Sequence, residues 1–246
     1  TGENVYGSPA CIVLLKNWLD DNKLLEIAKY NAVPETAFIK IEQNYFHIRW
    51  FTPEIEMDLC GHATLAAAHF IKNILNHSKN HIKFKSCSGK INVTIKNKKY
   101  SLDFPRRKPV KSDLPKIISK AINIQPIETY KSRDYILVYN SEADIRKLKI
   151  DKNYFDQINL DPGGVVVTSV GEIADFVSRY FTPQSTILED PATGSSHCSL
   201  IPFWSKRLNK KELLSFQISK RGGEFECIDN ANRVTIIGKA KTRFKV

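Results

Sequence analysis

Arg49-Trp50-Phe51-Thr52-Pro53, followed by Asp58-Leu59-Cys60-Gly61-His62-Ala63-Thr64 and an apolar run at 65–71, has a second copy in this chain. The copy reads Arg179-Tyr180-Phe181-Thr182-Pro183, then Asp190-Pro191-Ala192-Thr193-Gly194-Ser195-Ser196, then the run 197–204. In each, an Arg-aromatic-Phe-Thr-Pro strand end leads to a glycine among small polar residues and then into an apolar helix. Such a repeat marks a duplicated architecture. Glycine lets backbone approach a ligand, and the free N–H groups of a helix N-terminus hold an anion. Two anion-holding helix ends facing one cleft between two similar domains are therefore expected.

Working outward, the 246 residues suit one large domain or two of ordinary size, and the repeat favours two. Pro105-Arg106-Arg107-Lys108-Pro109 breaks the strand pattern and is the linker candidate, dividing the chain into 1–108 and 109–246. An apolar content of 42% supports proper cores, which excludes a disordered chain. No apolar run reaches membrane-spanning length and nothing resembles a signal peptide, so no membrane partner is expected. The chain starts at Thr1 without methionine, and residues preceding it are expected.

The five cysteines are odd in number and form no C-x-x-C pair, which argues against a disulfide framework or a zinc site and for reduced, cytoplasmic thiols. The formal charge of +11 invites a nucleic-acid reading. Yet Lys83, Lys85, Lys90, Lys96, Lys98 and Lys99 are spread along alternating strands, without a clustered footprint of stacking aromatics. No nucleic-acid partner is expected.

Alternation and turn residues predict strands at 9–15, 35–39, 45–51, 82–84, 91–95 and 100–104 in the first half, with a helix after Asp20 or Asp21 that stops at Asn31. The second half predicts a helix at 115–122 capped by Asp113, a helix capped by Ser141, and strands at 135–139, 165–168, 216–218, 224–227 and 234–237. Residues 65–71 carry no charge on any side, so that helix must be enclosed, as inside a wrapped sheet. Pro202 is expected to kink or shorten the second central helix.

Several side chains bear on chemistry. Glu35 opens an apolar strand after Pro34, where a carboxylate is ordinarily just solvated. His62 follows Gly61 at a helix N-terminus, whose dipole favours a neutral imidazole; this suits a substrate hydrogen bond or a purely structural one. Asp190 reads as a cap of the second glycine turn. Cys60, beside a helix N-terminus, is either an activated thiol or a small core residue. His69 and His197 lie in apolar helices and read as core residues. Walker, G-x-G-x-x-G and H-E-x-x-H patterns are all missing, so neither nucleotide cofactor nor metal is expected.

Six segments, Val5-Tyr6-Gly7-Ser8-Pro9-Ala10, Pro34-Glu35-Thr36-Ala37-Phe38, 49–53, 59–64, 189–195 and Arg221-Gly222-Gly223-Glu224, occur in that order. Together they resemble the phenazine-biosynthesis PhzF-like isomerase family, of the diaminopimelate-epimerase-like fold. The resemblance covers nearly the whole chain. It implies an α+β protein of two similar domains, each a curved, mostly antiparallel or mixed sheet around a central helix, with the active site between them. A first strand ending just before Thr1 and a homodimer are further implications.

The resemblance also puts the catalytic glutamate on Glu35, reversing the solvated reading, the site histidine on His62 and the site aspartate on Asp190. It assigns the groups holding the substrate carboxylate to Gly61, Gly194 and Ser195. The implied chemistry moves a proton between two carbons of a small cyclic hydroxy-amino acid, without a cofactor. That asks for a carboxyl group that takes and returns a proton in a closed, largely dry cleft. In the wider fold, racemases and epimerases use two opposed cysteines; here Cys60 holds the first place and Thr193 the second. The competing expectations are an epimerase or racemase using Cys60 with Glu35 as opposing base, and a non-catalytic cleft for a small anionic metabolite or for protein interaction.

Overall fold

The computed structural model describes residues 7–160 and 163–243. Val5 and Tyr6 of the first family-like segment lie outside them. Asp20 starts α1 (Asp21–Asn31) by accepting from Lys23 N at 3.0 Å, and Ala32 ends it in the left-handed conformation at φ 50°. This helix connects the parallel strands β1 (Ala10–Leu15) and β2 (Glu35–Ile41). β3 (Phe46–Phe51) runs antiparallel to β2, and the two-residue β4 (Glu56–Met57) folds back on β3. α2 (Gly61–Asn73) then crosses to β5 (His81–Ser86), parallel to β3, and β6 (Gly89–Lys96) and β7 (Lys99–Pro105) follow as hairpins.

The second half begins with β8 (Val110–Lys111), α3 (Lys116–Ala121) and β9 (Glu128–Lys131). It then repeats the first half: β10 (Tyr135–Val138), α4 (Glu142–Lys147) and α5 (Lys152–Phe155), β11 (Val165–Val170), β12 (Phe176–Phe181), β13 (Glu189–Asp190) and α6 (His197–Leu208), closing with β14 (Glu212–Gln217), β15 (Gly223–Asp229) and β16 (Arg233–Gly238). Parallel and antiparallel pairings recur in the same sequence. Even the register recurs, with Trp50 opposite Met57 in one half and Tyr180 opposite Asp190 in the other.

The repeated arginine has a structural cause. Arg49 grips both oxygens of Glu56 and lies over the Phe51 ring, and Arg179 grips both oxygens of Glu189 and lies over Phe181. A planar fork on a carboxylate fixes the short return strand that leads to each glycine turn.

β7 pairs with β16, so hydrogen bonding runs unbroken through both halves as a 16-stranded sheet. The shared core holds α2 (Ala63, Ala67, Ala68, Ile71) and α6 (Leu200, Ile201, Trp204), each against strands of its own half. α1 covers the outer face of the first half around Leu24, Phe38 and Phe51, and α3 to α5 cover that of the second around Leu137, Val167 and Phe155. This is the expected α+β architecture, a curved mixed sheet around a central helix in each half. On β5, Ile82, Phe84 and Ser86 point inward while Lys83 and Lys85 stay exposed. Among the described residues no helix is long and apolar enough to cross a membrane.

Two local expectations are corrected. α3 has Pro115 at its N-cap with no side-chain cap, so Asp113 does not start it; burial of Ile118 and Ala121 holds it instead. Pro202 does not shorten α6, which continues to Leu208. A proline has no N–H for the carbonyl four residues back, here Cys198. That carbonyl accepts from Arg107 N at 2.9 Å, so the linker segment satisfies the group that the proline leaves free.

Candidate active site

The N-terminus of α2 meets the turn that leads into α6. A Cβ on Gly61 would lie 2.8 Å from Gly194 Cα, and one on Gly194 would lie 3.0 Å from Gly61 Cα. Both glycines are therefore required by close approach of two backbones. Beside this contact is a cleft of about 200 Å³. Glu35, Cys60, Gly61, His62, Asp190, Gly194 and Ser195 all line it, so every site candidate from the sequence falls in one place. The loops after Pro53 and Pro183 wall the cleft, and Thr186 Oγ1 donates across it to Glu54 Oε1 at 2.7 Å.

Pro34 and the start of β2 aim Glu35 at the end of α2. Its Oε2 lies 2.7 Å from His62 Nε2, with both side chains nearly buried, at 12% and 11% exposure. Among the described residues the ring is the one polar group in reach of that buried oxygen. Burial opposes a charged imidazole, but the Glu35 carboxylate in contact with the ring outweighs it and holds His62 well above 6.5. The helix-dipole argument for a neutral ring thus loses to a carboxylate in contact. Cys60 Sγ is 3.6 Å from His62 Nδ1. Burial first, then the Glu35 charge, push this thiol up, so the helix terminus does not activate it.

Asp190 both caps a turn and faces the cleft. Its Oδ1 accepts from Ala192 N at 3.3 Å and Ser8 Oγ at 3.5 Å, and its Oδ2 accepts from Thr193 Oγ1 at 2.6 Å. Burial and then the Glu35 charge push its carboxyl above the ordinary 3.8. Thr193, at the place of the wider fold's second cysteine, is committed to Asp190 and to Gln217, whose Oε1 accepts Thr193 N at 2.7 Å.

The duplicated scaffold carries one-sided chemistry. In the strand registers Glu35 corresponds to Gly164, where a Cβ would lie 2.5 Å from Phe181 O, so no second acid fits there. Likewise His62 corresponds to Ser195, each one residue after its glycine. Sequence reasoning missed Arg133, which lines the cleft and donates to Ser195 Oγ at 3.1 Å. It sits in a Ser-Arg-Asp turn between β9 and β10 that carries no periodic signal. Outside the cleft, His197 is a core residue, donating and accepting between Thr193 O and Ser215 Oγ, and burial lowers it to about 4.

Donor atoms of Glu35, Cys60 and His62 lie within 4.8 Å of one another, close enough to hold a metal ion. Metal binding there would have to displace the protons of the thiol and the imidazole.

A family model for phenazine biosynthesis-like proteins (PhzC-PhzF) matches residues 1–245. The chain is 40% identical over 235 residues to an uncharacterized isomerase of Pseudomonas aeruginosa, covering 95% of this chain and 89% of that protein. It is 37% identical over 248 residues to an uncharacterized isomerase of Halalkalibacterium halodurans, covering 98% and 92%. A PhzF-family crystal structure from Enterococcus faecalis superposes with a TM-score of 0.88 at 40% identity, covering 98% and 92% of the two chains. A probable proline racemase from Agrobacterium radiobacter shares the fold at a TM-score of 0.58 and 11% identity, covering 92% and 82%.

Proposed function

Because the chain belongs to the phenazine biosynthesis-like (PhzC-PhzF) family, we propose that it is a cofactor-independent isomerase that moves one proton between two carbons of a small carboxylate. Glu35 is the proton carrier. The observation that supports this is its Oε2, buried in the cleft wall and met among the described residues only by the His62 ring. As carboxylate, Glu35 takes a proton from one carbon of the substrate; that C–H bond breaks and its electron pair delocalises into the substrate. As carboxylic acid, it returns the proton to a second carbon, which restores its own charge.

The other residues bind and orient. The N–H groups at Gly61 and Gly194 and the Ser195 hydroxyl receive the substrate carboxylate, and the two helix ends stabilise charge that develops during transfer. His62 and Asp190 hold polar substituents of a small ring. A cleft of about 200 Å³ restricts the substrate to a metabolite of that size. The thiol-based epimerase reading is weakened by two features, a Cys60 that holds its proton and a Thr193 engaged elsewhere.

The test is hydrogen exchange. Small cyclic amino and hydroxy acids incubated with the protein in heavy water should gain carbon-bound deuterium, read by mass spectrometry. Stabilisation of the protein by such acids with no exchange into any of them would leave the cleft a binding site and remove the catalytic reading.

A further inference from the structure

Ser195 stands in the second repeat where His62 stands in the first, and a guanidinium takes the part that Glu35 plays there. Arg133 Nη2 donates to Ser195 Oγ at 3.1 Å. The same guanidinium is fixed from two sides, by Asp58 Oδ1 on Nη1 at 2.8 Å and by Asp134 Oδ1 on Nε at 3.1 Å, with Tyr180 OH a further 3.3 Å contact of Nη2. Its anchors are themselves anchored. Arg107 holds the other oxygen of Asp58 at 2.9 Å, and Asp134 Oδ1 accepts from Tyr180 OH at 2.9 Å and Gly164 N at 3.0 Å. Arg133 is thereby held in one pose, with its side chain 9% exposed at the cleft wall.

A serine hydroxyl has one proton to give and two acceptor positions. With Arg133 occupying an acceptor position, the O–H is left to donate elsewhere, and the cleft is the open side. Asp58 and Asp134 offset the charge of Arg133, so its contribution lies in direction rather than in bulk attraction of anions. We propose that Arg133 is a positioning residue of the cleft, which turns the Ser195 O–H towards the substrate carboxylate. Asp58 comes from the first half and Arg133 and Ser195 from the second, so the same contacts tie that orientation to how the halves sit. The inference rests on the reading of the cleft as a carboxylate site.

The test uses the full chain and benzoate as a planar cyclic carboxylate probe, with affinity measured by calorimetry. The set is wild type, Ser195→Ala, Arg133→Gln, Arg133→Lys and the double variants at both positions. A charge-assisted hydrogen bond predicts losses on the order of tenfold for Ser195→Ala and for Arg133→Gln. The double variant should bind no more weakly than the weaker single one, because Arg133 acts through Ser195. A merely structural arginine would not produce that non-additivity. Arg133→Lys keeps a charge between Asp58 and Asp134 but does not also reach Ser195. It should match Ser195→Ala at a near-native melting temperature, and its cycle decides if Arg133→Gln does not fold. Wild-type affinity in the Arg133 variants, or losses that multiply in the double variants, would overturn the proposal. Wild type that does not bind benzoate would instead overturn the carboxylate reading, and this inference with it.

Discussion

Glu35 Oε2 lies 2.7 Å from His62 Nε2, inside a cleft built where the N-terminus of α2 touches the turn into α6. This contact puts a carboxylate and an imidazole together on one side of a duplicated scaffold. The corresponding position in the second repeat is Gly164, which has no room for any side chain.

The glycine contact sets a first expectation. Gly61→Ala places a methyl 2.8 Å from Gly194 Cα, against backbone that has no rotamer to yield. Forcing a packed interface apart should cost about 1–3 kcal/mol. Urea unfolding at two protein concentrations measures it, and a variant as stable as wild type would show that the N-terminus of α2 and the turn into α6 are not in contact.

The duplicated arginines should not be equivalent. Arg179 grips Glu189 and also donates to Ile145 O and Leu148 O, at the end of α4, whereas Arg49 grips Glu56 and the exposed Asp21. Losing Arg179 leaves two carbonyls of α4 without that donor. Arg179→Ala should therefore cost about 2 kcal/mol more than Arg49→Ala. Equal losses in chemical denaturation would contradict the assigned roles.

The histidines predict pH dependence in two separate windows. His197 is fully buried and lowered to about 4, so as pH falls below 6.5 the unfolded chain takes up a proton that the folded chain refuses. Stability should drop by about 3 kcal/mol between pH 6.5 and 4, a loss that His197→Gln should reduce. His62, raised by its neighbours, contributes stability that is fully present below 6.5 and is lost as pH rises through its folded value. Glu35→Gln should shrink that alkaline loss. Unfolding free energies with the same pH slope in wild type and variants would reject both assignments.

Much of this was legible in the sequence because the duplicated stretch fixes local geometry twice. The helix starts at Asp20 and Ser141 were readable from their side chains, and both do cap. Asp113 was not, because the proline at 115 sets the chain's direction before a cap can form. The gathering of Glu35, His62 and Asp190 was expected from the family-like motifs, while the shifts of His62 and Asp190 were not. The dipole at Gly61 pointed to a neutral imidazole and an activated thiol; the Glu35 charge reverses the first against burial, and burial with that charge reverses the second. Arg133 escaped notice because its partners Asp58 and Ser195 lie far from it along the chain and only the fold assembles them.

The central claim is that Glu35, and not Cys60, carries the proton. The measurement is deuterium incorporation from heavy water into a substrate found by the exchange screen, at equal concentrations of wild type, Glu35→Gln and Cys60→Ala. Glu35→Gln keeps the shape of the side chain and cannot cycle a proton. Its exchange rate should fall on the order of 10²–10⁴-fold, while Cys60→Ala, beyond some lost packing, should stay within about tenfold of wild type. Exchange at the wild-type rate in Glu35→Gln, alongside an inactive and folded Cys60→Ala, would contradict the account.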